Sequence, residues 1–190
     1  RVPSRFWSHA RWYGEKFNDA VRKHVVDMLT GLGYLAAAPV IETYFEQYEN
    51  EKGRYSNWSE RHVAYTAGQG TFSLSDGFIT ERGIAHRCGS VVTDLVLPPS
   101  SRTTSGPYSN CLFYVDRSCN ACVDRCPAGA ISETGHDKIK CREYLRGDIG
   151  YLGNQMDFDD EVSNAGCGLC QVKVPCEYCN PAKKLAKKPR

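Results

Sequence analysis

Cys119, Cys122 and Cys126, followed at once by Pro127, stand in the run C-N-A-C-V-D-R-C-P-A-G-A-I, and Cys167, Cys170, Cys176 and Cys179 follow in a second stretch. Thiolates at such short spacings wrap one iron–sulfur cube, and a cysteine placed before proline reaches across to a second. A chain holding two cubes would pass electrons one at a time. Zinc is the competing chemistry, because paired C-x-x-C knuckles also bind that ion tetrahedrally. The C-P-x-x-A-I continuation speaks for clusters, since zinc knuckles rarely carry it.

The first run is close to that of bacterial ferredoxins, in which a further cysteine stands three residues before the C-x-x-C pair. Asp116 occupies that position here. Three solutions are open: Cys111 loops back, Asp116 itself ligates, or the site holds a three-iron cluster. Thiolate suits soft iron–sulfur ligation better than carboxylate, which favours Cys111. Following the crossed ferredoxin pattern, Cys111, Cys119 and Cys122, closed by Cys176, would hold one 4Fe-4S cluster. Cys126, Cys141, Cys167 and Cys170 would hold the other. Cys179, just before Asn180–Pro181, competes with Cys176 for the closing role. Cys88 is left over and reads as a small buried hydrophobe.

The elements that position these thiols belong to a chain of 190 residues with ten cysteines, 41% hydrophobic and 24% charged residues. That is room for one ordinary domain and a small one. The net charge of +2 argues for neither nucleic acid nor a membrane surface. No apolar run approaches a membrane span. The sequence opens on Arg1 with no signal-peptide or twin-arginine pattern. Thiols crowded into C-x-x-C pairs suit a reducing compartment, so a cytoplasmic location is expected.

R-T-T-S-G-P at 102–107 reads as a linker, giving units 1–105 and 106–190. In the first unit, Phe17, Val21, Val25, Met28, Leu29 and Leu32 recur at helical spacing and predict a helix over 15–32, stopped by Gly31 and Gly33. Tyr34–Ala38 reads as a strand ending at Pro39. Asn57, with Glu60 three residues on, predicts a capped helix through Ala67. Ser90–Leu97 is β-branched and reads as a strand. This core is thin, and the first unit is expected to need the second or a cofactor. The second unit has short turns after each cysteine pair and one helix over Asp137–Leu145, with clusters supplying the cross-links a small core lacks. The basic tail, 183–190, reads as a solvated terminus. Phe6, Trp7, Trp12 and Tyr13 form an aromatic group suited to packing or to flanking a flat cofactor. His86 and His136 are expected to face solvent or make local hydrogen bonds.

The stretch W-S-E-R-H-V-A-Y-T-A-G-Q-G-T-F-S-L-S-D-G-F-I-T, then R-C-G-S-V-V-T-D-L-V-L-P, then the cysteine runs, resembles the iron–sulfur, corrinoid-dependent reductases: the epoxyqueuosine reductases and reductive dehalogenases. The resemblance runs from about Phe6 onward. It implies an α+β fold, with a partial nitroreductase-like α/β domain followed by a bacterial-ferredoxin-like domain with two 4Fe-4S clusters. Cobalamin would lie against the turn from Gly68 to Asp76, with Gly68 and Gly70 admitting the ring and Ser73, Ser75 and Asp76 bonding its amide arms. Electrons would come from a ferredoxin or flavodoxin, pass through both clusters to the corrinoid, and reduce a small organic substrate. The alternative is an electron-transfer module or reductase subunit without substrate chemistry of its own. Two departures favour that alternative. The acid of the family's D-S-A-P stretch falls on Ala36, and its basic residue after the G-x-G turn falls on Leu74. Tyr44, Tyr48, Tyr65 and His62 are the remaining candidates for a proton donor.

Overall fold

The computed structural model describes residues 3–102, 104–149 and 166–185. It is a mixed α+β structure of helices and small antiparallel sheets. Helix α1 runs Arg5–Gly31, begun by Ser4, whose Oγ accepts the Trp7 N–H at 3.4 Å. It starts ten residues before the helix the apolar spacing predicts. A serine cap sets that start, which hydrophobic periodicity does not report. The end is as expected: Gly33 takes φ 89° and turns the chain away.

The face that α1 turns inward is polar, contrary to its apolar spacing. Phe17, Val21, Met28 and Leu32 are exposed, while Ser8, Arg22 and Leu29 are buried. Arg22 pairs with Glu15 at 3.1 Å, with Asp19, and with Glu60 at 3.4 Å. With Asn18 it also donates to the Cys88 carbonyl, at 3.0 and 2.8 Å. These bonds tie α1 to the segment carrying Cys88. A charge this deep needs its partners, because leaving it unpaired costs several kcal/mol, about 3–5.

Four two-stranded antiparallel sheets follow. Strand β1 (Ala36–Ala37) pairs with β6 (Val92–Thr93), so the two expected strands meet but are only two residues long. Beyond them Asp94 takes over, its carboxylate accepting the Leu35 N–H at 2.8 Å. Strands β2 (Gln47–Asn50) and β3 (Gly53–Ser56) form a hairpin that sequence periodicity missed. Asn57 braces it, accepting from Glu46 N at 3.1 Å and donating to Tyr44 O at 2.7 Å. Asn57 therefore does not cap the next helix; α2 (Glu60–Thr66) starts after Ser59.

Strands β4 (Gly70–Phe72) and β5 (Phe78–Thr80) form the hairpin that matters most for the thiols. Its turn closes through Ser73 N to Gly77 O at 2.8 Å, with Asp76 left-handed at φ 58°. Past the linker come α3 (Leu112–Asp116), α4 (Ala121–Arg125), the short hairpin β7 (Ile131–Ser132) with β8 (Gly135–His136), α5 (Lys138–Arg146) and α6 (Ala182–Leu185). Asp137 caps α5 through Ile139 N and Lys140 N, where the sequence places that helix. Leu74, Ile79, Ile84, Cys111, Phe113 and Ile131 form one buried cluster, with Cys122, Val123, Cys126, Cys170 and Cys176 packed on it. The core thus joins residues from both sides of the 102–107 segment. Among the described residues no helix is long and apolar enough to cross a membrane.

Candidate metal centre

Ten free cysteines stand in the described residues, and eight fall into two neighbourhoods. Cys111 is the residue before α3 and is buried at 8% exposure. Cys119 and Cys122 flank the start of α4, and Cys176 comes from the C-terminal loop. These four, with Cys170, line one pocket together with Ser73, Ser75, Ile79 and Phe113. Burial pushes the Cys122 thiol up to about 11, and Cys111 and Cys119 beside it push the same way. Burial, then Cys111, Cys122 and Cys119, push Cys176 up to about 12.

The second neighbourhood is Cys126, Cys141, Cys167 and Cys170. Cys126 ends α4 and its Sγ accepts the Ala130 N–H at 3.3 Å, the bond Pro127 sets up by turning the chain. Burial, then Cys167, Cys141, Cys122 and Cys126, push Cys170 up to about 12. Cys167 is raised by burial and by Cys141 and Cys126. Cys170 is where the two groups touch, since it feels Cys122 and lines the first cavity as well.

Buried thiols this crowded cannot all ionise unless cations gather them. Among the described residues no three His, Cys, Asp or Glu side chains converge on a single-ion site. A zinc ion needs its four sulfurs drawn to one point at about 2.3 Å. Thiols set around a pocket instead suit a bulky inorganic core with iron at alternate corners, each iron taking one cysteine. The donor set, thiols alone, fits an iron–sulfur cluster.

Asp116 stays outside the cavity lining. Its exposed carboxylate accepts the Ser118 N–H at 3.0 Å, and that partner holds it below the usual carboxylate range. Cys179 bonds Pro175 O through its Sγ at 3.5 Å and does not line the cavity. Cys88 lines a separate, open cavity with Glu60, Arg82, His86 and Arg87, and burial pushes its thiol up.

Three close approaches bring the distant stretches together. Gly83, at φ 90°, lies under the last cysteine loop: a Cβ there would stand 2.7 Å from Cys176 O and 2.6 Å from Cys179 N. Next to it, Ile84 N donates to Cys176 O at 2.8 Å. Asn110 donates to Ile79 O at 2.8 Å and accepts from Asn180 Nδ2 at 2.9 Å, which also reaches Glu81 at 3.1 Å. At the other group, the Trp7 ring lies flush on Gly166 and Gly168, while Ser8 Oγ donates to Gly166 O at 3.0 Å. Trp7 therefore packs on the C-G-L-C loop, while Phe6 is 86% exposed. Sequence reasoning missed Gly83, Asn110 and Asn180; a lone glycine or asparagine carries no spacing signal.

At the turn where the resemblance places a corrinoid, Arg102 and strand β5 approach the two glycines. A Cβ on Gly68 would lie 3.3 Å from Arg102 Cα, and one on Gly70 would strike Ile79 O. Ser73 and Ser75 are buried and face the thiols, and Leu74 is 1% exposed in the core. Asp76 binds His136 Nδ1 at 3.2 Å. His136 is half-buried rather than solvent-facing, and Asp76 and then Cys141 raise it to about 9. Tyr65 packs between Phe72 and Arg102, and His62 against Phe72 and Ser59. Tyr44 is 56% exposed, and Tyr48 stacks on Tyr55 at 5.3 Å and bonds Glu46. None of the four lines the thiol cavity.

No protein-family model matches the chain, and no solved structure matches it. It is 31% identical over 121 residues to a protein named epoxyqueuosine reductase from Bacillus anthracis, covering 62% of this chain and 29% of that one. A protein of the same name from Bacillus cereus is 30% identical over the same shares. An uncharacterized protein from the gldA 3' region of Geobacillus stearothermophilus is 33% identical over 92 residues, 46% of this chain and 37% of its own. The chain is thus distantly similar to epoxyqueuosine reductases, and it spans about a third of the length of the curated relatives it matches.

Proposed function

We propose that this chain is the electron-relaying part of an iron–sulfur reductase. Cys111, Cys119, Cys122 and Cys176 would hold one 4Fe-4S cluster, and Cys126, Cys141, Cys167 and Cys170 the other. When bound, such clusters supply reversible one-electron transfer at potentials set by hydrogen bonds and exposure. The observation that carries this reading is the sorting of eight thiols into two neighbourhoods, one of them lining a shared pocket.

The chain's own residues then do three things. Cysteines from separate elements gather the metal, and Ile79, Phe113 and Ile131 pack the core beside them. Ala130 N–H bonds the Cys126 sulfur and holds it in place. The Asn110–Asn180 bond and Gly83 hold the closing loop over the first site. The similarity to proteins named epoxyqueuosine reductase supports reductase as the class of reaction; a one-electron carrier such as ferredoxin or flavodoxin is the donor this reading takes. Reduction of a small molecule at a corrinoid in this chain is the less favoured function. Arg102 packs closely on Gly68 and β5 on Gly70, which weighs against a corrinoid ring at that turn.

The test is anaerobic electron transfer. Reconstituted protein should be reduced by ferredoxin or flavodoxin, show reduced-cluster signals by electron paramagnetic resonance, and pass the electrons to a one-electron dye. Absence of such signals from protein that carries its metal would overturn the relay.

A further inference from the structure

We propose that the Ser73–Ser75 hydroxyl pair donates a hydrogen bond to sulfur in the first thiol-lined cavity and raises the reduction potential of the cluster held there. This rests on the two-cluster assignment above and deepens it. Both side chains are buried, at 4% and 6% exposure, and their Oγ atoms lie 3.0 Å apart. Among the described residues each hydroxyl has the other as its hydrogen-bond partner. Two hydroxyls carry two protons, and one mutual bond uses one of them. One O–H is left over where water has little access, and a buried donor left unpaired is costly.

Both serines line the cavity with Cys111, Cys119, Cys122 and Cys176. Its other side chains include Ile79, Phe113 and Val174, none of them an acceptor. Apart from the two hydroxyls, sulfur is the only acceptor among this lining's side chains. The hairpin also fixes the pair in place. Ser73 N donates to Gly77 O at 2.8 Å, and Leu74 between the serines is locked in the core at 1% exposure. A cluster becomes more negative on reduction, so a donor at its sulfur stabilises the reduced state more than the oxidised one.

The experiment is a redox titration, followed by electron paramagnetic resonance, of the full native chain loaded anaerobically. The Ser73→Ala/Ser75→Ala double variant is compared with each single variant and with wild type. In the double variant one cluster should move to a more negative potential while the other stays. The expected change is at least tenfold in the oxidised-to-reduced ratio at fixed poise, about 59 mV for one electron. At least one single variant should keep the wild-type value, because the surviving hydroxyl is freed to donate. Unchanged potentials in a double variant with full iron and sulfide overturn the proposal. Failure of wild type to hold clusters overturns the two-cluster assignment instead. Should the double variant fail to load, exchangeable-proton couplings at the reduced cluster are compared among wild type and the single variants. A coupling altered by a serine substitution supports the donor, and identical couplings refute it.

Discussion

Spacing gives the closing role to Cys176 with Cys179 as its competitor, and their surroundings differ. Cys176 stands among Cys111, Cys119 and Cys122, whereas the Cys179 thiol is spent on Pro175 O. Cys176→Ser should therefore remove about half of the bound iron, and Cys179→Ser should leave it unchanged. Iron analysis after anaerobic reconstitution reads both. Asp116→Ala belongs with the second outcome, because the carboxylate is engaged with Ser118 and Cys111 lies in the cavity. Loss of iron in Asp116→Ala would make the carboxylate a ligand after all.

At the scale of elements, the β4–β5 hairpin and the segment after it form the floor on which the cysteine loops close. Gly83 is the tightest point, both by its φ of 90° and by its contact with the Cys176 loop. Gly83→Ala should cost at least about 1–2 kcal/mol from the left-handed backbone alone. It should also lift Cys176 away, so the variant is expected to melt lower and bind less iron than wild type. A similar logic holds at Gly168, whose added Cβ would collide with the Trp7 ring. The crowding of thiols was legible because C-x-x-C pairs and the following proline act locally. The roles of Ser73, Ser75 and Asn110 were hidden, since contacts between hairpin and loop are set by tertiary packing. Helix α1 was hidden in part for another reason: its buried face is an ion-pair network around Arg22, and apolar periodicity cannot see it.

Across the whole molecule, the core is small and is built around the thiols themselves: Cys111 is a member, and Cys122, Cys126, Cys170 and Cys176 pack on it. A core of this kind depends on its metal, because binding free energy becomes folding free energy. Stripping iron with an oxidant and chelator should broaden and lower the thermal transition, and anaerobic reconstitution should restore it. Ile79→Ala, at 0% exposure in this core, should cost about 2–5 kcal/mol and depress cluster loading at the same time. Both units of the chain should unfold together, since residues from both sides of 102–107 share that core. Two well-separated melting transitions in the loaded protein would contradict a shared core.

The most direct measurement is iron and acid-labile sulfide per chain after anaerobic reconstitution, with zinc and cobalt counted on the same sample. Two clusters predict about eight iron and eight sulfide. Zinc without sulfide, or an iron count that does not fall when Cys122 is changed to serine, would contradict them.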